Sequence, residues 1–378
     1  MRFLIPLILV LQIIQIILPL KKNHYRKIHA RRLRKYCCLP IQLQNVPMTE
    51  DSGTLLAIRN ITIPEYPHSY NPSIVKGKDG FHLAFRFDIK SPKLPYGRSF
   101  SSYIGMIPLD KNFHPERYPT ILNTWSEFSE DPRCTYVGDK CYLVFNDCST
   151  YSSTRDFRSM RIAEIDLSRY KLQTIRNLDI QMQPVEKNWT PFAVQDREGE
   201  KLFLGYTINP HKIMKLFDPK DNKLESLPLC SVSWVDNSWE EKWGQLRGGT
   251  PAILVDNEYV AFFHSRFIDR ETKLVWYVMG AYTFSSKPPF ELKSISPYPI
   301  LFQGIYQTTV RKTDSSHLRC IYPSGIIHAK EGDREVIYVA CGENDRAIKI
   351  LTFDKKKLLS GLIPINKKTE TIITSQNP

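Results

Sequence analysis

Apolar and polar positions alternate in short runs along most of the chain, and the runs recur. Five stretches share one pattern: a proline at the head of an apolar run, a polar turn, then a second run rich in aromatics. They read YNPSIVKGKDGFHLAFRFD from Tyr70, EDPRCTYVGDKCYLVFND from Glu130, NWTPFAVQDREGEKLFLGYT from Asn188, GGTPAILVDNEYVAFFHS from Gly248 and YPSGIIHAKEGDREVIYVACG from Tyr322. Alternation of this kind predicts strands, and the turn residues between each pair of runs predict hairpins. The turns contain Asp79-Gly80, Gly138-Asp139, Glu198-Gly199, Asp256-Asn257 and Gly332-Asp333, which accept positive φ cheaply. Pro72, Pro132, Pro191, Pro251 and Pro323 recur at spacings of 60, 59, 60 and 72 residues. A proline at the first strand position leaves no ladder hydrogen bond unmade.

Five hairpins at a near-constant period, with no long amphipathic helix between them, predict five equivalent β-units. The rest of each period supplies two more strands, as in MRIAEIDL after the second unit and LVWYVMGAYTF after the fourth. Four strands in each of five units predict an all-β fold, a five-bladed β-propeller, over residues 46–365. A β-sandwich fits the repeat less well, and the period is too long for a parallel β-helix. In a propeller the innermost strands line a central channel. The strand entries should therefore meet at one mouth, joined by Arg86, Asn146, Asp147, Tyr206, His264 and Glu343-Asn344-Asp345 from the partner strands.

The N-terminus follows different rules. Residues 3–20 carry no charge, which predicts a transmembrane or signal-anchor helix over 1–20, with a cleaved signal peptide as the rival. Residues 21–35 then hold eight Lys or Arg and no acid. This basic stem, 21–45, would keep its side of the membrane cytoplasmic and attract anionic headgroups. The expected location is thus a single-pass membrane protein with its catalytic domain facing the cytoplasm. Residues 366–378 form a polar tail. Because most of the net charge of +13 sits in the stem, the body is near balance and no nucleic-acid partner is expected. The eight cysteines show no metal-type spacing, so no metal is expected. They favour a reducing compartment; Cys37-Cys38 is either a palmitoylation site or a pair of ordinary thiols. The sequons at Asn60 and Asn188 weigh little.

The motifs NPSIV with DGFHLAFR, EDPR, KNWTPF, RGGTPAI with AFFHS, and YPSGI resemble the blade motifs of glycoside hydrolase family 130 and the related propeller mannosyltransferases and mannogen phosphorylases. The resemblance runs from about Tyr70 to Asp345. It implies a β-mannoside phosphorylase, in which phosphate attacks the anomeric carbon without an enzymic nucleophile. It also implies that the aspartate of EDPR, here Asp131, is the proton donor, acting by relay through a sugar hydroxyl. By the same resemblance Asn71 and Arg86 contact the mannosyl unit and Arg133 follows the acid. Lys187 and His264 approach the phosphate. Asp345 matches the last-blade aspartate, although Cys341 stands where the family more often has tyrosine. No cofactor is implied. Inorganic phosphate or GDP-mannose would be the co-substrate and a mannose-containing glycan the partner.

Residue chemistry agrees. A glycosidic oxygen needs a proton, and a carboxyl whose proton affinity is raised supplies it; Glu130 beside Asp131 would raise it by like-charge repulsion. Phosphate needs fixed cations. Each residue also has a plainer reading: Asp131 a strand-end turn, Arg86 a partner for a nearby acid, His264 a core histidine, Lys187 a solvated charge. Trp189 is either packing or a face on which a sugar stacks, and Asn146 and Asp147 are further sugar contacts. A β-mannoside hydrolase, with an unidentified carboxylate activating water, is the alternative. A non-catalytic glycan-binding propeller is a lesser one.

Overall fold

The computed structural model describes residues 39–90, 100–151, 156–178, 181–216, 224–226, 238–308 and 318–365. The anchor 1–20, the stem up to residue 38 with Cys37 and Cys38, and the tail 366–378 lie outside the described residues. Among the described residues no helix is long and apolar enough to cross a membrane. The chain divides into a unit of residues 1–45 and one of 46–378. In the first, a four-residue helix, Ile41–Gln44, follows Pro40.

The second unit is almost entirely antiparallel sheet. Strands β2 (Tyr70–Lys76), β3 (Phe81–Lys90), β4 (Phe100–Leu109) and β5 (Thr120–Ile121) form one sheet in that order. The next holds β6 (Glu130–Val137), β7 (Lys140–Tyr151) and β8 (Asp156–Asp166), with β9 (Lys171–Leu172) and β10 (Arg176–Asn177) on its outer edge. Then come β11 (Thr190–Asp196), β12 (Gly199–Thr207), β13 (Lys212–Leu216) and β14 (Leu224–Ser226). The fourth repeat has β15 (Leu246–Gly248) and β16 (Ile253–Val255) on β17 (Glu258–Ile268), followed by β18 (Val275–Ser285) and β19 (Leu292–Ile295). The fifth has β20 (Leu318–Glu331), β21 (Arg334–Glu343) and β22 (Ala347–Asp354). Its outer strand is β1 (Leu55–Ile61), from the start of the unit. A short parallel pairing of β18 with β20 links the last two repeats.

The first strands of successive repeats touch in cyclic order, a propeller-like arrangement. Ser73 Oγ on β2 accepts from the Cys134 N–H on β6 at 2.8 Å. Ala252 N–H, just before β16, reaches the Pro191 carbonyl on β11 at 3.2 Å. Ser324 Oγ on β20 donates to the Pro72 carbonyl on β2 at 2.6 Å and closes the circuit.

Between repeats the sheets pack face to face, and period 2 sorts the side chains. Leu143 and Phe145 on β7 join Ala84 and Met106 of the first repeat. Tyr142 and Val144 face the other way, onto Trp189, Leu202 and Leu204 of the third. Both faces of each central strand are thus buried, which is why these strands read as nearly continuous apolar runs. The five described cysteines are all buried.

Four of the five turns carry positive φ, at Gly138, Gly199, Asp256, Asn257 and Gly332, as the sequence predicts; Asp79 and Gly80 do not. The prolines depart from expectation. Pro72, Pro132 and Pro323 lie inside strands, where the pairing slips between Tyr70 and Ser73, Glu130 and Arg133, and Pro323 and Gly325. β2 and β6 are the inner edges of their sheets, and β20 pairs with β18 only through Leu318–Cys320, short of Pro323; a bulge on such an open side tolerates the missing N–H.

Inner strands approach so closely that side chains are excluded at the contact. A Cβ on Gly325 would stand 2.6 Å from the Ile74 amide nitrogen and 2.9 Å from Ser73 Cα. Gly325→Ala should therefore destabilise the protein by about 1–3 kcal/mol, measured by urea denaturation; unchanged stability would refute this closeness.

Candidate active site

The site forms where β2 and β6 begin. In a flat strand, consecutive side chains point to opposite faces, so Glu130 and Asp131 would diverge. Asp131 instead adopts φ 56 and Asn71, its counterpart in the first repeat, φ 45. Asp and Asn are among the residues that enter this left-handed region at modest cost. Combined with the bulges, it turns both side chains inward. Asn71 Nδ2 donates to Asp131 Oδ1 at 2.9 Å across 60 residues of sequence. Gly342 makes room: a Cβ there would meet Asn71 Oδ1 at 2.4 Å.

Arg86 binds both carboxylates. Its Nη1 lies 3.2 Å from Asp131 Oδ1 and its Nη2 3.1 Å from Glu130 Oε1. Asp88 holds Nε at 3.2 Å, and the guanidinium lies over the Tyr70 ring. Glu130 is the most heavily paired acid. Arg158 Nη2 reaches Oε1 at 2.5 Å, and Lys187 Nζ reaches Oε2 at 2.9 Å. Tyr322 OH is 3.4 Å from Asp131 Oδ2, donates to Asn188 Oδ1 at 2.7 Å and accepts from Arg133 Nη2 at 2.8 Å.

The charges follow from this geometry. Burial pushes the Glu130 carboxyl up, but Arg86, Lys187 and Arg158 outweigh it and hold the group well below its usual value. Burial and Glu130 also push Asp131 up. Arg86, with Lys187 and Arg133, prevails, so Asp131 too lies below its ordinary value. The repulsion expected from Glu130 is real but loses to the shared arginine. Both carboxyls are therefore ionised at neutral pH.

The other expected residues sort into two groups. Lys187, half-exposed, reaches the site through Glu130. Asp345, at φ 52 in the turn after β21, is half-buried and acts electrostatically on Tyr70 and Tyr277. His264 packs against Tyr322 with ring centroids 4.5 Å apart and the planes tilted by 43°. Burial, then Arg133 and Arg247, push it down to about 3, so it is neutral and offers no cation.

Four expectations change. Trp189 is fully buried, with Nε1 bonded to Glu186 and its ring edge-on to Tyr206, so it presents no face to a sugar. Asn146 is fully buried between the Glu130 carbonyl and Arg158. Asp147, also buried, is taken up by Ser126 and Arg161. Arg133 is fully buried too, tied to the Gly248 and Gly249 carbonyls, and holds Tyr322 through its hydroxyl.

The sequence reading missed Tyr70, Arg158, Asn188 and Tyr322. A signal for Tyr322 was present: it precedes its proline as Asn71 and Asp131 precede theirs. A cleft of about 720 Å³ lies elsewhere, at the β2–β3 turn, lined by Lys76, Lys78, Lys111 and Lys330. No grouping of His, Cys, Asp and Glu suited to a metal occurs among the described residues.

Glu130→Gln should cost about 3–5 kcal/mol, because Arg158 would remain buried without its counter-ion. The depressed folded-state value of Glu130 makes its stabilisation complete above the ordinary carboxylate range and lost as pH falls through the folded value. Denaturation as a function of pH should show this acid-labile component in the wild type and not in the variant.

No protein-family profile matches the chain, and none of the curated proteins matches it. Solved structures do. A mannose phosphorylase from Leishmania mexicana, in complex with phosphate ion, is 12% identical with a TM-score of 0.57 over 84% of this chain and 94% of that one. A β-1,2-mannobiose phosphorylase from Listeria innocua, in complex with β-1,2-mannobiose, is 14% identical with a TM-score of 0.55 over 81% and 93%. A GDP-Man-dependent mannosyltransferase from Leishmania mexicana is 11% identical with a TM-score of 0.51 over 85% and 96%. At these identities the likeness is one of fold: the body of this chain has the architecture of the β-mannoside phosphorylases and their mannosyltransferase relatives.

Proposed function

We propose that the body is a five-bladed propeller enzyme that forms or phosphorolyses β-mannosidic bonds, with Asp131 as the acid/base. The observation that carries this is the setting of Asp131: a buried carboxylate on a left-handed strand entry, held by Asn71 and Arg86 beside Tyr322. Such a group is positioned to protonate a departing oxygen, directly or through a sugar hydroxyl. Arg86 and the half-exposed Lys187 supply positive charge for phosphate, or for the diphosphate of a nucleotide sugar. The phosphorylase and transferase likenesses support both donors.

In phosphorolysis, a phosphate oxygen forms a bond to the anomeric carbon as the glycosidic C–O bond breaks. The proton from Asp131 goes to the leaving oxygen, and mannose 1-phosphate and a shortened glycan result. In synthesis the steps reverse. For Asp131 to donate, its proton affinity must rise on binding. A phosphate anion beside Arg86 and Lys187 does this by offsetting the cations that hold it down.

Asp131→Asn should abolish turnover, a loss of at least about 10²-fold, while thermal unfolding stays near that of the wild type. Incubation with mannose 1-phosphate or GDP-mannose and mannose acceptors, followed by product analysis, checks the reaction. Retained activity in the variant removes Asp131 from the chemistry. Release of free mannose without phosphate dependence would favour the hydrolase.

A further inference from the structure

Trp125 is 83% exposed, whereas Trp189, Trp239, Trp243 and Trp276 are at most 4% exposed. It also sits at φ 57, a backbone region that bulky residues enter only under constraint.

The segment that carries it is firmly held. Leu122 N–H bonds to the Ile104 carbonyl on β4 at 2.9 Å, and Ser126 Oγ to Asp147 Oδ1 on β7 at 2.6 Å. Ser129 Oγ donates to Thr124 Oγ1 at 2.8 Å. Arg158 bonds the Phe128 carbonyl with the same guanidinium that grips Glu130. The Glu127 carbonyl accepts from Ser102 N–H at 2.8 Å, and Ser102 Oγ accepts from Arg86 at 3.0 Å. Trp125 thus stands on a well-bonded bridge between the first and second repeats, six residues before Asp131 on the segment that leads into β6. Asn123 and Glu127 share its exposed side.

A large aromatic surface held in solvent by a strained, well-bonded segment has no folding rationale. It suits the apolar C–H face of a pyranose, with polar neighbours for the hydroxyls. We propose that Trp125 is a stacking platform for a sugar ring outside the Asp131 pocket, so that the preferred partner is a neutral oligosaccharide rather than a single sugar. This rests on the mannoside reading above and specifies the length of its substrate.

Calorimetric titration of the full chain with mannose, β-mannobiose and β-mannotriose tests it by binding alone, without turnover. Trp125→Ala should weaken the longest saccharide about tenfold and leave mannose unchanged. Trp125→Phe should restore most of the loss. Mannotriose should blue-shift the tryptophan fluorescence of the wild type more than that of Trp125→Phe. Equal mannotriose affinity in wild type and Trp125→Ala overturns the platform and leaves the mannoside reading standing. Equal loss for mannose and mannotriose also overturns it, by showing a structural role. Absence of binding by any mannoside to the wild type overturns both readings.

Discussion

One guanidinium has to serve two neighbouring carboxylates. Glu130 and Asp131 are adjacent on a strand, and Arg86 from the preceding repeat binds both, at 3.1 and 3.2 Å. Regular pleating forbids that arrangement, so the strand entry is bulged and Asp131 left-handed. Much else follows from this local solution. Asn71 must take the matching conformation to reach Asp131. Gly342 must lack a side chain to let Asn71 in. Arg158 shares Oε1 of Glu130 with Arg86, while Lys187 takes Oε2; Arg158 also brings Asn146 and the Phe128 carbonyl into the same cluster. Such buried ion clusters contribute little net stability; what this one supplies is a single orientation for the carboxyl of Asp131.

The charges of the cluster are unevenly placed. Three cations converge on Glu130, and Asp131 shares only one of them through a direct contact. An incoming anion drawn to Arg86 or Lys187 therefore arrives close to a carboxylate that is still ionised. Binding and proton uptake are linked in such a site, because the anion that neutralises the cations raises the proton affinity of the acid beside them. The chemistry assigned to Asp131 needs that coupling.

The sequence was informative wherever the repeat made it so. The spacing of the prolines and hairpin turns located all five strand pairs. The place of EDPR in the repeat marked Asp131, and the resemblance of the blade motifs marked Asn71. It failed where a residue type was read without its strand phase. Trp189 and Asp147 look chemical as single letters, yet both face the interior. Asn146 and Asp147 sit on β7, paired on both sides by β6 and β8, where polar groups are consumed by neighbours. Arg158 was illegible because it belongs to β8, a strand that the recurring hairpin pattern does not include. Trp125 was passed over because it lies between repeats, in a segment that has no counterpart to compare with.

The pairing of β1 with β22 has a consequence for how the chain is made. Arg59 on β1 bonds Thr352 on β22 across 293 positions of sequence. A chain emerging N-terminus first carries β1 as an unpaired apolar edge until nearly the whole body has been synthesised. Because the fifth repeat packs against the first through Ile327, Val336 and Ile350, the first repeat also waits for its neighbour. Early chain ends would leave an exposed sheet edge and an uncovered apolar face, both sticky to other nascent chains. The circular architecture thus makes completeness of the polypeptide a condition of its solubility during translation.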